Sequence, residues 1–392
     1  MNWLLDLRNY GLKIARTSTS SGYIDWDGET ILYGSISFSI SNFRSFLHGL
    51  TSSTRDILFR EILFENSTFT SDTPLRPIPD IPWEGIFDNP IDSTPFSNFL
   101  SDSRTDLGLQ NPQKFLFTRI ATSPDLASRF SLPGSGLTWN TRKLSDWIST
   151  IQLFLEKLLL LFHLGGGQPS RAPEILSIRF SNSIETGNRS IYLENGFVYF
   201  VTYYHKGYSI SGSTKIIHRY LPREIGELLV YYLWLVLPFL TRISLEVSGK
   251  PPTDYLFQNL SRKPTSKARQ ISSNRFRTIF RRESLAGLGL ALNPSEYRHI
   301  AIGISRRFLS KSFQFQPEDL PDFDDEKDVE YEDEVLDSIL DRQAGHSPST
   351  AGNVYARGIF EASGEVRGQK RLFQEASLVS LFFFIFSRLF TF

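Results

Sequence analysis

A change of hydrophobic period across residues 141–218 constrains the fold more than any other feature of the chain. Residues 141–164 are apolar at helical intervals and run into Gly165-Gly166-Gly167, a helix stop that also lets backbone approach a ligand closely. Pro173-Glu174-Ile175-Leu176 restarts a helix, which puts Arg171 at its first turn, where unpaired backbone donors favour anions. Residues 190–194, 197–204 and 214–218 are then rich in β-branched and aromatic side chains, with turn signals at Asn195-Gly196 and residues 207–212. This pattern predicts a small antiparallel sheet with Lys206 at the end of its middle strand. The expected class is mixed α+β, mostly α.

The remaining segments divide the chain. Residues 1–70 read as helices around one strand pair, in which 23–26 and 30–33 flank the turn signal Asp27-Gly28-Glu29, followed by helical spacing over 41–64. Proline density rises over 70–111, an ordered but irregular connector. Helices are expected over 112–120, 223–240, 274–285 and 296–309. The organisation is thus a mainly helical amino-terminal region, 1–135, containing the connector, and a second domain, 136–377, with an acidic insertion at 318–341. An apolar tail, 378–392, closes the sequence and reads as a packed terminal helix or an aberrant end.

Composition removes several function classes. There are no cysteines, and six scattered histidines lack zinc-site spacing, so neither a disulfide framework nor zinc chemistry is expected. A reducing compartment, nucleus or cytosol, fits. The first residues carry an acid inside a short apolar run, unlike a signal peptide, and the tail is interrupted by Arg388, short for a membrane span. The zero net charge hides an asymmetry: residues 318–341 hold 13 acids and one lysine, leaving 29 acids against 41 bases elsewhere. That excess suits a polyanion. The densest basic stretch, 261–282, carries Arg262, Lys263, Lys267, Arg269, Arg275, Arg277, Arg281 and Arg282 with no acid, and these are the candidate phosphate contacts. The acidic insertion reads as a disordered loop that faces away from bound phosphate or screens basic surface, or as a solubilising loop with no further role.

Gly345-His346-Ser347 precedes Tyr355 by a nine-residue His-to-Tyr spacing, and Arg171, Lys206 and Arg298 stand upstream. A phosphodiester attacked by a phenol needs cations on its non-bridging oxygens, a donor for the pentavalent intermediate and an acid for the leaving oxygen, and these five side chains could fill those roles. Each alone is weak, since Arg171 and Glu174 are also ordinary surface-helix neighbours and lysines are common at turns.

Taken in order, the glycine stop, Arg171-x-x-Glu174, the sheet with Lys206, Tyr297-Arg298-His299 opening a helix, and Gly-His-Ser with Tyr355 resemble the tyrosine recombinase (phage integrase) family over about residues 136–377. The stretches GQPSRAPEILSIRF, YHKGYSISGSTKIIHRYLP, EYRHIAIGISRR and QAGHSPSTAGNVYA look closest to recombinase-like domains of fungal Crypton-type mobile elements and of fungal proteins linked to RecQ-type helicases, and WLLDLRNYGLKI and SGYIDWDG extend the likeness to the amino-terminal region. The resemblance implies a core-binding-like helical DNA-binding domain, a catalytic domain, and DNA integration or recombination in the nucleus, or residence in the cytoplasm before import. It implies Tyr355 as nucleophile, Arg171, Arg298 and His346 on the phosphate oxygens, Lys206 as acid, and Glu174 as support for Arg171. It further implies cleavage without a metal or cofactor, assembly of copies on DNA through the tail, and a helicase partner; from the short, interrupted tail no membrane is expected. Ser295 stands where the family usually has histidine or lysine, and His299 would compensate or only pack. A catalytically inactive, domesticated DNA-binding or partner-recruiting module is the alternative.

Overall fold

The computed structural model describes residues 24–65, 77–109, 111–131, 139–184, 188–204, 215–248, 251–260 and 270–308, together with 373, 374, 376 and 377. It opens with a three-stranded antiparallel meander: β1 (Ile24–Asp27), β2 (Thr30–Tyr33) and β3 (Ile36–Ser39). The expected strand pair is present, and a third strand joins it. Gly28 and Gly34, at φ 58° and 60°, make the two tight turns. Ser39 then caps α1 (Ile40–Asp56), its hydroxyl accepting from the Asn42 N–H, and the helix continues in wide π-type turns over Ile57–Ile62.

Residues 77–109 carry no strand and only one short helical turn, at Trp83–Gly85. Side chains give them their order. Asn182 donates to the carbonyls of Asp92 and Thr94, and Arg189 forms a buried ion pair with Asp88, whose other oxygen accepts from the Leu193 N–H at 2.9 Å. Two short helices follow, α2 (Phe115–Thr122) and α3 (Pro124–Phe130), the second begun by the Ser123 cap and Pro124 at its first position. The long α4 (Thr141–Gly165) leads to α5 (Ala172–Leu176) and to the second sheet, β4 (Ile191–Glu194), β5 (Phe197–Tyr204) and β6 (Lys215–Tyr220), antiparallel in sequence order. A helical run follows: α6 (Arg223–Tyr231), a wide turn over Tyr232–Val236, and α7 (Leu237–Ser248). α8 (Ser273–Leu288) and α9 (Pro294–Phe308) come next, and the described residues 373, 374, 376 and 377 are also helical. The described residues are mostly helical, with two small antiparallel sheets.

Strand alternation sorts β4–β6 into two faces. Ile191, Leu193, Val198 and Phe200 join the main core, whereas Tyr192, Tyr199, Val201 and Tyr220 form a separate cluster, with Tyr199 stacked between Tyr192 and Tyr220 at 5.4 and 4.9 Å. Near that second face the Phe373 ring lies 6.1 Å from His218, and Ala376 and Ser377 are buried. The main core runs without a break from Ile31 through α1, α4 and the α6–α7 run to Ile304 in α9. Among the described residues, two apolar runs, Thr141–Gly165 and Arg223–Glu246, have the length and hydropathy to cross a membrane, but 67% of the 18-residue apolar window in each is buried, as in the central helices of a packed domain.

Candidate phosphate-binding site

The site begins where α4 ends. Gly166 closes the helix, its N–H donating to the Phe162 carbonyl at 3.1 Å, and Gly167 turns the chain with φ 78°. A Cβ on Gly166 would stand 2.9 Å from the Phe162 oxygen and 2.9 Å from the Phe200 ring, so glycine is required for close approach to the sheet. The next residues are held from two sides. From α9, Tyr297 donates to the Leu164 carbonyl at 3.4 Å and Arg298 Nε donates to the Pro169 carbonyl at 3.2 Å. Gln168 Nε2 returns a bond to the Ala301 carbonyl at 3.4 Å. From β6, Arg219 Nε donates to the Gln168 carbonyl at 3.0 Å.

Arg171 follows directly, as the residue that caps α5. Its backbone N–H donates to Glu174 Oε2 at 3.0 Å, while its carbonyl accepts from the N–H groups of Glu174 and Ile175. Glu174 therefore fixes the backbone that presents Arg171. Arg298 and Arg171, far apart in the chain, are brought to one turn.

Two further residues complete the electrostatics. Arg219 is 1% exposed, and its second bond goes from Nη1 to Thr202 Oγ1. Burial lowers its pKa to about 10, the Glu174 carboxylate opposes that shift, and the positive charge of Arg298 adds to it. His163, on the last turns of α4, is enclosed by Phe276, Phe280 and Tyr297 with ring centroids 5.1–5.8 Å away, and neither ring nitrogen has a hydrogen-bond partner. Burial first, then Arg298 and Arg219, push its pKa down to about 3, so it is neutral at physiological pH. Neither residue stood out as a candidate in the sequence. Arg219 carried a usable signal: it shares strand parity with buried Ile217, and a charged side chain on the inward face of a sheet needs a reason.

The other predicted residues divide by position. Ser295 is exposed on the first turn of α9. His299, next to Arg298 in sequence, stacks on Tyr33 of β2 at 5.9 Å and 18°, so its ring packs against the amino-terminal sheet. Of the basic stretch, Arg275 and Arg282 reach from α8 to Glu156, which is 2% exposed on α4. Arg275 donates to Glu156 Oε1 at 2.9 and 2.7 Å, and Arg282 Nη1 to Oε2 at 3.1 Å. Lys157 and Glu283 extend the network at 2.7 Å. Arg277 and Arg281 point outward on the exposed face of α8. Lys206, Arg262, Lys263, Lys267, Arg269, His346 and Tyr355 lie outside the described residues, as do the acidic insertion and the apolar tail. Among the described residues, no group of three or more His, Asp or Glu side chains is placed to hold a metal ion.

Two arginines thus stand at one turn, Arg171 on the α4–α5 turn itself and Arg298 from the first turns of α9, and a guanidinium suits phosphate oxygens in charge and shape. Comparison with family models, curated proteins and solved structures finds no match for this chain.

Proposed function

We propose that this protein breaks and rejoins DNA strands through a 3′-phosphotyrosyl intermediate, as in site-specific recombination or integration. The observation that carries the reading is the bond from Arg298 to the Pro169 carbonyl, 129 positions away, which brings Arg298 to the turn that presents Arg171. In this reading Tyr355 loses its phenolic proton to solvent as its oxygen bonds to the scissile phosphorus, and the bond to the 5′-oxygen breaks as that oxygen takes a proton from Lys206. Arg171, Arg298 and His346 carry the charge that builds on the non-bridging oxygens. The free 5′-hydroxyl later attacks the phosphotyrosine, which restores the tyrosine and rejoins a strand. Duplex DNA is the substrate, held largely through phosphates by the basic surface that includes Arg277 and Arg281. The same reading places the protein in the nucleus, in copies assembled on DNA, with a helicase as partner.

The test is covalent-adduct formation on a nicked suicide duplex by the wild type, Arg171→Ala and Arg298→Ala. Both variants should retain most DNA affinity and lose adduct by about 100-fold or more, the scale seen when a single donor to a transition-state oxyanion is removed. Variants that form adduct at the wild-type rate contradict the proposal. One observation favours a second reading, a DNA-binding or partner-recruiting module without catalysis. Ser295 is exposed where the resembled family carries a basic side chain, and His299 is occupied with Tyr33. That module would bind duplex DNA and give no adduct.

A further inference from the structure

We propose that Arg219 is a positioning residue. It is a buried strut that sets the height of the Gln168–Arg171 turn and so holds Arg171 and Arg298 in one geometry towards the scissile phosphate. The inference rests on the strand-transfer reading for its target, but its structural half stands on β6 and the turn alone.

Arg219 sits on the inward face of the sheet, 1% exposed, in register with Phe200 and one strand from Thr202. Its planar fork spends one donor on the Gln168 carbonyl and another on Thr202 Oγ1, so the guanidinium bridges the sheet to the turn. The carbonyl of Gln168 accepts from Arg219, and the very next carbonyl, of Pro169, accepts from Arg298. Two arginines from different elements thus grip consecutive peptide units, two and three residues ahead of Arg171. Glu174, which caps the Arg171 N–H, also stabilises the charge on Arg219.

Stability alone gives a poor account of this residue. A methionine of similar length would fill the space without the desolvation penalty of a buried cation, and buried charges exchanged for apolar residues are often neutral or stabilising. A forked donor at fixed height does something methionine cannot, because it defines where a backbone carbonyl sits to within a few tenths of an ångström. Such placement matters when the groups it controls must meet a transition state, where about 1 Å of error costs on the order of 100-fold in rate.

The experiment compares wild type, Arg219→Lys, Arg219→Met and Thr202→Val by three measurements: adduct rate on the nicked duplex at saturating DNA, DNA affinity, and amide hydrogen exchange over residues 166–171. Lysine keeps the charge but cannot hold both acceptors in one plane. Arg219→Lys and Arg219→Met should each lose about 10- to 100-fold in adduct rate with unchanged affinity. Their turn amides should exchange at least several-fold faster. Thr202→Val, which removes one bond and keeps the fold if the arginine variants do not, should give a smaller change in the same direction. Wild-type adduct rate and wild-type exchange in Arg219→Lys, or in Thr202→Val if Arg219→Lys does not fold, overturn the proposal. If the wild-type protein forms no adduct, the strand-transfer reading falls, and the exchange data still decide whether Arg219 fixes the turn.

Discussion

Replacing Gly166 with alanine probes the packing that sets the site, and its cost can be worked from the coordinates. At φ −87° and ψ 31° the residue needs no special backbone freedom, so no conformational strain follows from the change. The added methyl would meet the Phe162 carbonyl oxygen at 2.9 Å and the Phe200 ring at 2.9 and 3.0 Å. Neither neighbour has room to give: Phe200 is fully buried, Phe162 is 1% exposed, and the two rings stack at 5.3 Å. Overpacking of this kind costs about 1–3 kcal/mol. Reduced freedom of the unfolded chain offsets about 0.4–1 kcal/mol. Taken at mid-range, about 2 less about 0.7, Gly166→Ala should lose about 1.3 kcal/mol, measured by guanidinium unfolding with linear extrapolation. In a Phe200→Leu background the ring clash is partly relieved, and a double-mutant cycle should return a coupling of at least about 0.5 kcal/mol. An alanine variant as stable as wild type, or zero coupling, would refute the view that glycine is required here by steric approach.

Arg189→Met should destabilise by about 3–5 kcal/mol, because it strands the Asp88 carboxylate, only 2% exposed, without its ion-pair partner; adding Asp88→Asn should recover much of the loss in the same unfolding assay. His163 has a folded pKa near 3 against an ordinary value of 6.5, so between those values the unfolded chain binds the extra proton and stability falls as pH is lowered. The slope attributable to His163 approaches about 1.4 kcal/mol per pH unit below pH 6, and unfolding free energies at pH 7 and 5 should show that much less acid sensitivity in His163→Leu. On α8, Arg277→Ala with Arg281→Ala should leave the unfolding midpoint unchanged and weaken DNA binding with a shallower salt dependence, whereas Arg275→Ala with Arg282→Ala should lower the midpoint by uncovering Glu156.

Much of the fold was legible because its periods are long and regular. The run into Gly165 and the β-branched segments of the second sheet appear where the apolar pattern places them. Local signals were also available for two elements that periodicity passes over. Ser123 and Pro124 begin α3, and Gly34-Ser35 separates β2 from Ile36–Ser39, a segment whose mixed composition hides a third strand. The wide turns within Ile57–Ile62 and Tyr232–Val236 leave no mark, since an extra residue per turn hardly disturbs an apolar run. Of the candidate site, Arg171, Glu174 and Arg298 could be singled out from the sequence, but not the braces between them. Arg275 meeting Glu156 across 119 positions, or Arg219 meeting Gln168 across 51, depends on which elements touch, and one-dimensional spacing does not encode that. Neighbours in sequence can also part company: successive helical residues point about 100° apart, so Arg298 turns to the site while His299 turns to Tyr33.

The central claim is that a tyrosine of this chain becomes covalently joined to DNA. The most direct measurement is mass spectrometry of peptides from a nicked suicide duplex incubated with the wild-type protein, paired with Tyr355→Phe. A 3′-phosphonucleotide linked to the peptide carrying Tyr355, absent from a variant that still binds the duplex, is the predicted result. Equal adduct yield from Tyr355→Phe, or DNA bound by the wild type with no covalent peptide, would contradict it.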